Sequence, residues 1–192
     1  MTPLLLLSVA LAADPSPKLN VLFLGDSGHH QPAARFKQLD AAFQARGIAL
    51  TYSDKLADLN PETLGRYDGL IVYANHGKFE TAEQEKALLD YVAGGKGFIP
   101  LHCASACFTG SKDYIALVGG QFRSHTTGTF RPQVVADHPV TKGFSSFASW
   151  DETYVHTKHN ETDRTVLEVR TDGDLKEPWT WVRTQGKGRV FY

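Results

Sequence analysis

Along the first 120 residues, short apolar runs alternate with stretches whose apolar positions recur at helical spacing. Residues 18–24 (K-L-N-V-L-F-L) form an apolar run closed by Gly25-Asp26-Ser27-Gly28, the pattern of a buried strand entering a Gly-rich loop. From Pro32 to Arg46, Phe36, Leu39 and Phe43 fall three and four apart, which predicts one face of a helix stopped by Gly47. Residues 48–52 read as a second strand, and Asn60-Pro61-Glu62 as the start of a short helical turn with Pro at its first position. Residues 70–74 (L-I-V-Y-A) predict a third strand. Thr81-Ala82-Glu83-Gln84 matches a capping box, ahead of a helix that buries Ala87, Leu88, Tyr91 and Val92. Residues 97–101 (G-F-I-P-L) predict a fourth strand. Strands alternating with helices imply βαβ units, a mostly parallel sheet and helices on both of its faces.

After Gly120 the pattern changes to short β-like runs at 133–136, 153–156, 165–170, 179–183 and 189–192, parted by turns such as Thr171-Asp172-Gly173-Asp174. They predict the remaining sheet strands with an added β layer. The last run stops inside an apparent strand, so the sequence is expected to end short of its domain.

A chain of 192 residues with 42% hydrophobic and 21% charged residues fits one globular domain with a sizeable core. A net charge of -1 offers no basic surplus for a nucleic-acid partner. Residues 1–13 are apolar and end in small residues, with Ala10-Leu11-Ala12 fitting an A-x-A cleavage site. They predict a signal peptide, hence a periplasmic or secreted protein, with the domain over residues 19–192. The run is too short to cross a bilayer, so no integral membrane segment is expected in the mature chain. Cys103 and Cys107 match no established disulfide spacing and read as free thiols.

Sites on open parallel sheets lie beyond the carboxyl ends of the strands. Three predicted strands feed that edge with Asp26, Ser27, His29 and His30, then Asn75 and His76, then His102, Cys103 and Ser105. Imidazole is both the usual neutral-pH acid–base and the usual metal ligand, so the convergence of histidines points to chemistry there. No H-E-x-x-H or C-x-x-C motif is present, which argues against a tight structural zinc site. Cys103 at a strand-to-helix turn could act as a nucleophile, although a buried small side chain is the ordinary role of cysteine. Trp150-Asp151-Glu152-Thr153-Tyr154 sets two carboxylates among aromatics, a combination that suits a sugar: rings cover its apolar faces and carboxylates bind its hydroxyls. The same carboxylates would be ordinary in a solvated turn.

Five strings occur in order from Gly94 to Tyr192, within a match that runs from about Val21: G-G-K-G-F-I-P-L-H-C-A-S, Y-x-x-L-V-G-G-Q-F-R-S-H, D-H-P-V-T-K-G-F, W-D-E-T-Y and P-W-T-W-V-R-x-x-G-K-G-R-V-F-Y. They resemble the ThuA-like (trehalose-utilization) family of the class I glutamine amidotransferase-like superfamily. The resemblance implies a flavodoxin-like three-layer α/β/α sandwich and a role in carbohydrate catabolism through 3-keto sugars. Amidotransferase relatives carry a cysteine at the elbow after the strand. Here His102 takes that place and Cys103 follows it, so glutaminase chemistry is not expected. Family members also continue past the G-K-G-R-V-F-Y strand into a Gly-His-containing segment that this sequence lacks. The residues matching the family's polar signature are His102, His125, Asp151, Glu152 and Tyr154. They are the candidate catalytic set, with His102, His125 and Glu152 as candidate ligands of a divalent metal. Asp26, His29, His76, Cys103 and Trp150 are candidate substrate contacts. The expected activity is hydrolysis, elimination or isomerisation of a glycoside or 3-keto sugar. The alternative is a non-catalytic sugar-binding module of a larger exported assembly.

Overall fold

A computed structural model of the protein describes residues 18–192, so the signal peptide expected over residues 1–13 lies outside the described residues. The first strand, β1 (Leu19–Leu24), shows why the sheet is central. Leu22 and Leu24 enter one hydrophobic cluster, while Val21 and Phe23 enter another. Successive side chains of a strand point to opposite faces, so an unbroken apolar run is what a strand covered on both sides requires. Helix α1 (Pro32–Gln44) covers one face with Phe36, Leu39 and Phe43 packed against Phe23 and Tyr73.

The opposite face is covered by α2 (Pro61–Leu64), α3 (Ala82–Ala93) and α4 (Lys112–Val118). Between these helices run β2 (Ile48–Ser53), β3 (Gly69–Val72) and β4 (Gly97–Pro100). The capping box is present on α3: Thr81 accepts from the Gln84 N–H and the Gln84 side chain reaches back to the Thr81 N–H, both at 3.3 Å. Thr81→Ala is expected to cost about 1 kcal/mol, seen as a melting temperature lower by roughly 2–4 °C in a thermal scan. An unchanged midpoint would mean that tertiary packing alone fixes this helix end. The sequence pattern assigns no helix to residues 112–118, because seven residues are too few to establish a period. The structure forms α4 there, capped by the Ser111 side chain on the Tyr114 N–H.

In the second half, β5 (Gln121–Ser124), β6 (Thr127–Phe130) and β7 (Gln133–Val134) come first. They are followed by β8 (Ser149–Glu152), β9 (Val155–Thr157), β10 (Arg164–Asp172), β11 (Leu175–Gln185) and β12 (Gly188–Phe191). The main sheet runs β2-β1-β3-β4-β12-β11-β10-β7. Its five strands from β2 to β12 are parallel, and β11, β10 and β7 extend it antiparallel. The expected mixed, mostly parallel α/β sandwich is therefore the observed fold. The added β layer consists of two small ribbons, β5 with β9 and β6 with β8. Residues 153–156, expected as one strand, are divided: the ribbon bends at Thr153 and Tyr154, and only then does β9 begin. Among the described residues no helix is long and apolar enough to cross a membrane.

Candidate functional site

The chain leaves β4 through Leu101 and turns sharply at His102, whose φ is +50°. A non-glycine residue in the left-handed region costs roughly 1–3 kcal/mol and persists only where its surroundings fix it. Here the imidazole is packed between rings: it stacks on Tyr154 at 4.4 Å between centroids and meets His30 edge-on at 4.8 Å. The Cys103 side chain, one residue further, points into the core cluster of β1 and β3.

The two ribbons form one bent arm laid over this turn. At the bend the Thr153 N–H donates to the Thr126 carbonyl at 2.8 Å and the two threonine hydroxyls are 2.7 Å apart. The buried Arg170 guanidinium donates to the Tyr154 carbonyl at 3.2 Å, fixing the bend from below. His125 and Glu152 stand on either side of it, so residues 27 apart in sequence converge. Glu152 Oε2 lies 3.2 Å from His102 Nε2, and Oε1 lies 3.7 Å from His125 Nε2. The Oε2 atom is buried and, among the described residues, has no partner in hydrogen-bond geometry, although His102 Nε2 stands 3.2 Å away. A buried carboxylate oxygen without a donor is an acceptor held ready for one.

His102 and Glu152 wall a cleft of about 670 Å³ with His29, His30, Arg35, Tyr73, Trp150, Asp151, Tyr154 and Trp179. Trp150 is 71% exposed at the mouth, where a ring has no packing role to explain it. Burial, followed by the Glu152 charge, pushes the Tyr154 phenol far above its ordinary range, so it remains an O–H donor. Burial lowers the pKa of His102 below 6.5, with His30 adding to the effect, so the imidazole is neutral at pH 7. His30 is lowered by burial and then by His29, and His159 by burial and then by Arg164. For each, the folded-state pKa lies below the ordinary 6.5. The stability they contribute is therefore complete above that value and is lost as pH falls through the lowered ones. Urea unfolding should show a lower midpoint at about pH 5.5 than at about pH 7.5, and a variant lacking His30, His102 and His159 should show a smaller difference. An equal pH dependence in both proteins would contradict the assignment.

Of the residues singled out from the sequence, His29, His102, Trp150, Asp151, Glu152 and Tyr154 line the cleft, and His125 stands behind Glu152. Asp26, His76 and Cys103 do not line it. The Asp26 carboxylate accepts from the N–H groups of Gly28 and Asn75, at 2.7 and 2.6 Å, and ties the loops after β1 and β3 together. His76 turns inward, Nε2 at 3.0 Å from the Gly25 carbonyl and its ring stacked on Phe108. Cys103 is buried and its thiol pushed up to about 12 by burial, which leaves no thiolate for nucleophilic attack. Cys107 is likewise a free, buried thiol. Among the described residues no group of three or more His, Cys, Asp or Glu side chains is disposed to hold a metal ion. Arg35, Tyr73, His156, Trp179 and Tyr192 also reach the cleft and were not foreseen. Glu177, Trp179 and Trp181 stand two apart along β11, a spacing the sequence does carry, although the strand register slips at Trp179.

The family model for ThuA, described as trehalose utilisation, matches residues 20–192. Two solved structures, each described as that of a ThuA-like protein, are similar. One, from Bacteroides uniformis ATCC 8492, has a TM-score of 0.74 at 19% identity, over 96% of this chain and 84% of that one. The other, from Parabacteroides merdae ATCC 43184, has a TM-score of 0.77 at 16% identity, over 90% of this chain and 77% of that one. At these identities the likeness shows the fold. No curated protein matches the chain.

Proposed function

Because the chain belongs to the ThuA family of trehalose utilisation, we propose that it is an enzyme of carbohydrate catabolism that transfers a proton on a keto sugar bound in the cleft. The observation that carries this reading is Glu152, a cleft-wall carboxylate between two imidazoles, with its buried Oε2 beside His102 and without a donor among the described residues. Glu152 is the base. It takes the proton from the carbon next to the keto group, and the C–H electron pair becomes the double bond of an enediolate. The neutral His102 imidazole and the Tyr154 hydroxyl, both donors at pH 7, meet the charge developing on oxygen. Return of the proton from Glu152 to the neighbouring carbon, with the hydroxyl proton passing between the two enediolate oxygens, isomerises the sugar; alternatively a glycosidic oxygen β to the carbonyl departs, takes the proton from Glu152 and leaves a C–C double bond. Trp150 and Trp179 supply the flat apolar faces that sugar rings stack on, while Asp151 accepts from hydroxyls. The apolar run over residues 1–13, read as a signal peptide, supports a periplasmic or extracellular setting for this activity.

The test is incubation of the purified protein with a 3-keto disaccharide in heavy water, following deuterium at the carbon beside the ketone by NMR. Exchange or product formation that survives a chelator is the expected result. Loss of activity with chelator would move the reading to a divalent metal on His102, His125 and Glu152. Saturable binding without exchange would leave a sugar-binding module in place of an enzyme.

A further inference from the structure

A second acid–base set lies beneath the cleft, and the proton-transfer reading makes no use of it. Glu177 on β11 and His156 on β9 are 3% and 5% exposed. Glu177 Oε1 accepts the backbone N–H of His156 at 3.0 Å and lies 2.8 Å from its Nδ1. A carboxylate oxygen can only accept, so Nδ1 carries the proton and Nε2 faces the Tyr192 hydroxyl at 2.9 Å. That hydroxyl is also 3.1 Å from Ser105 Oγ and 3.2 Å from the carbonyl oxygen of His102. Ser105 Oγ lies 3.1 Å from the same carbonyl. The Tyr192 ring is held by stacking on Trp181, with centroids 4.1 Å apart and planes 18° apart.

The chain of contacts thus runs from a buried carboxylate to the backbone of His102, whose φ is left-handed and whose imidazole stands beside Glu152. One phenolic proton cannot serve both Nε2 and the carbonyl. With His156 neutral, that proton goes to Nε2 and the Ser105 hydroxyl caps the carbonyl. With His156 charged against Glu177, Nε2–H donates to the Tyr192 oxygen, and the phenolic proton caps the carbonyl. The second state is the one in which the Tyr192 hydroxyl, placed by His156 and Glu177, clamps the His102 carbonyl; in the first Ser105 alone caps it, and Tyr192→Phe would leave that cap intact.

We propose that Glu177, His156 and Tyr192 form a positioning relay that holds the His102 peptide in its left-handed turn and so aims the imidazole at Glu152. This rests on the reading that His102 and Glu152 work together. It differs from a structural role, in which the buried groups merely satisfy one another and their loss lowers stability alone.

The discriminating variants are Tyr192→Phe, which deletes one oxygen and keeps the ring; Glu177→Leu, which touches His102 nowhere; and Glu177→Gln, which keeps an acceptor for His156. The readout is the carbon chemical shifts of His102, which report its φ, together with the contact between its ring and Tyr154. Tyr192→Phe and Glu177→Leu should both shift His102 out of the left-handed region and weaken the ring contact, while Glu177→Gln should retain them. In an active protein, kcat should fall roughly tenfold to a hundredfold in the first two with KM little changed. Folded Tyr192→Phe protein with wild-type His102 signals would overturn the relay, and this variant carries the test alone if Glu177→Leu does not fold. The signals are read without turnover, so a wild-type protein inactive on keto sugars would sink the functional reading and leave the relay to its own result.

Discussion

Glu152→Gln should leave the protein folded and able to bind a keto sugar, with turnover reduced by a factor of about 100 to 10,000, the range of a lost general base. Glutamine keeps the size of the side chain and loses only its charge and basicity. The Glu152 side chain is 27% exposed and its Oε2 atom is buried without a donor, so the native carboxylate is not there for stability. Removing that charge should hold the melting temperature or raise it, the usual signature of a site kept for function at some cost in stability. His102→Gln should lower turnover as well. The double variant should be little worse than Glu152→Gln alone, because groups that act as a unit fail as a unit. Steady-state rates and thermal midpoints on the same three preparations decide it. Normal turnover in the double variant would falsify the assignment, and a fall in stability that accounts for the lost rate would reduce Glu152 to a structural residue.

How far this site could be read from the sequence follows from which of its contacts are local. The half built from βαβ units was legible because burial on both faces writes itself as apolar runs, and because Thr81 and Gln84 fix a helix start within four residues. His102 was placed by its strand end for the same reason. The meeting of His125 with Glu152 was not legible, since it depends on a bend at Thr126 and Thr153 that no periodicity announces. The order of residues along a loop also says nothing about which way a side chain turns. Asp26 and His76 follow strands as His29 does, yet they spend their polar atoms on neighbouring loops. His156 on β9, Glu177 on β11 and Tyr192 just past β12 meet under His102 only in the folded chain, because the main sheet sets β12 between β4 and β11 and the separate β5–β9 ribbon supplies His156.

The seat of β12 in that order is tightest at one glycine. Gly188 opens β12 where the strand passes the end of α3, and a Cβ there would lie 1.9 Å from the Val92 carbonyl oxygen and 2.7 Å from that of Lys96. Both obstacles are backbone, so no side-chain rotation relieves the clash. The neighbouring residues are pinned to the same helix end: the Lys187 N–H donates to the Ala93 carbonyl at 2.9 Å and the Arg189 N–H to the Lys96 carbonyl at 3.3 Å. Gly188→Ala must therefore part β12 from α3, and with it disturb Val190 in the core and Tyr192 beneath the cleft. A loss of about 3 kcal/mol or more is expected, which for a domain of this size lowers the melting temperature by roughly 6–12 °C. Gly128→Ala, in a ribbon where an added methyl meets nothing within 4 Å, is the matched control and should change the midpoint little. Because Tyr192 holds the His102 carbonyl, Gly188→Ala protein that stays folded at low temperature should also show altered His102 chemical shifts, whereas the Gly128→Ala protein should not. Equal thermal midpoints for the two variants would mean that β12 is not seated against α3 as described.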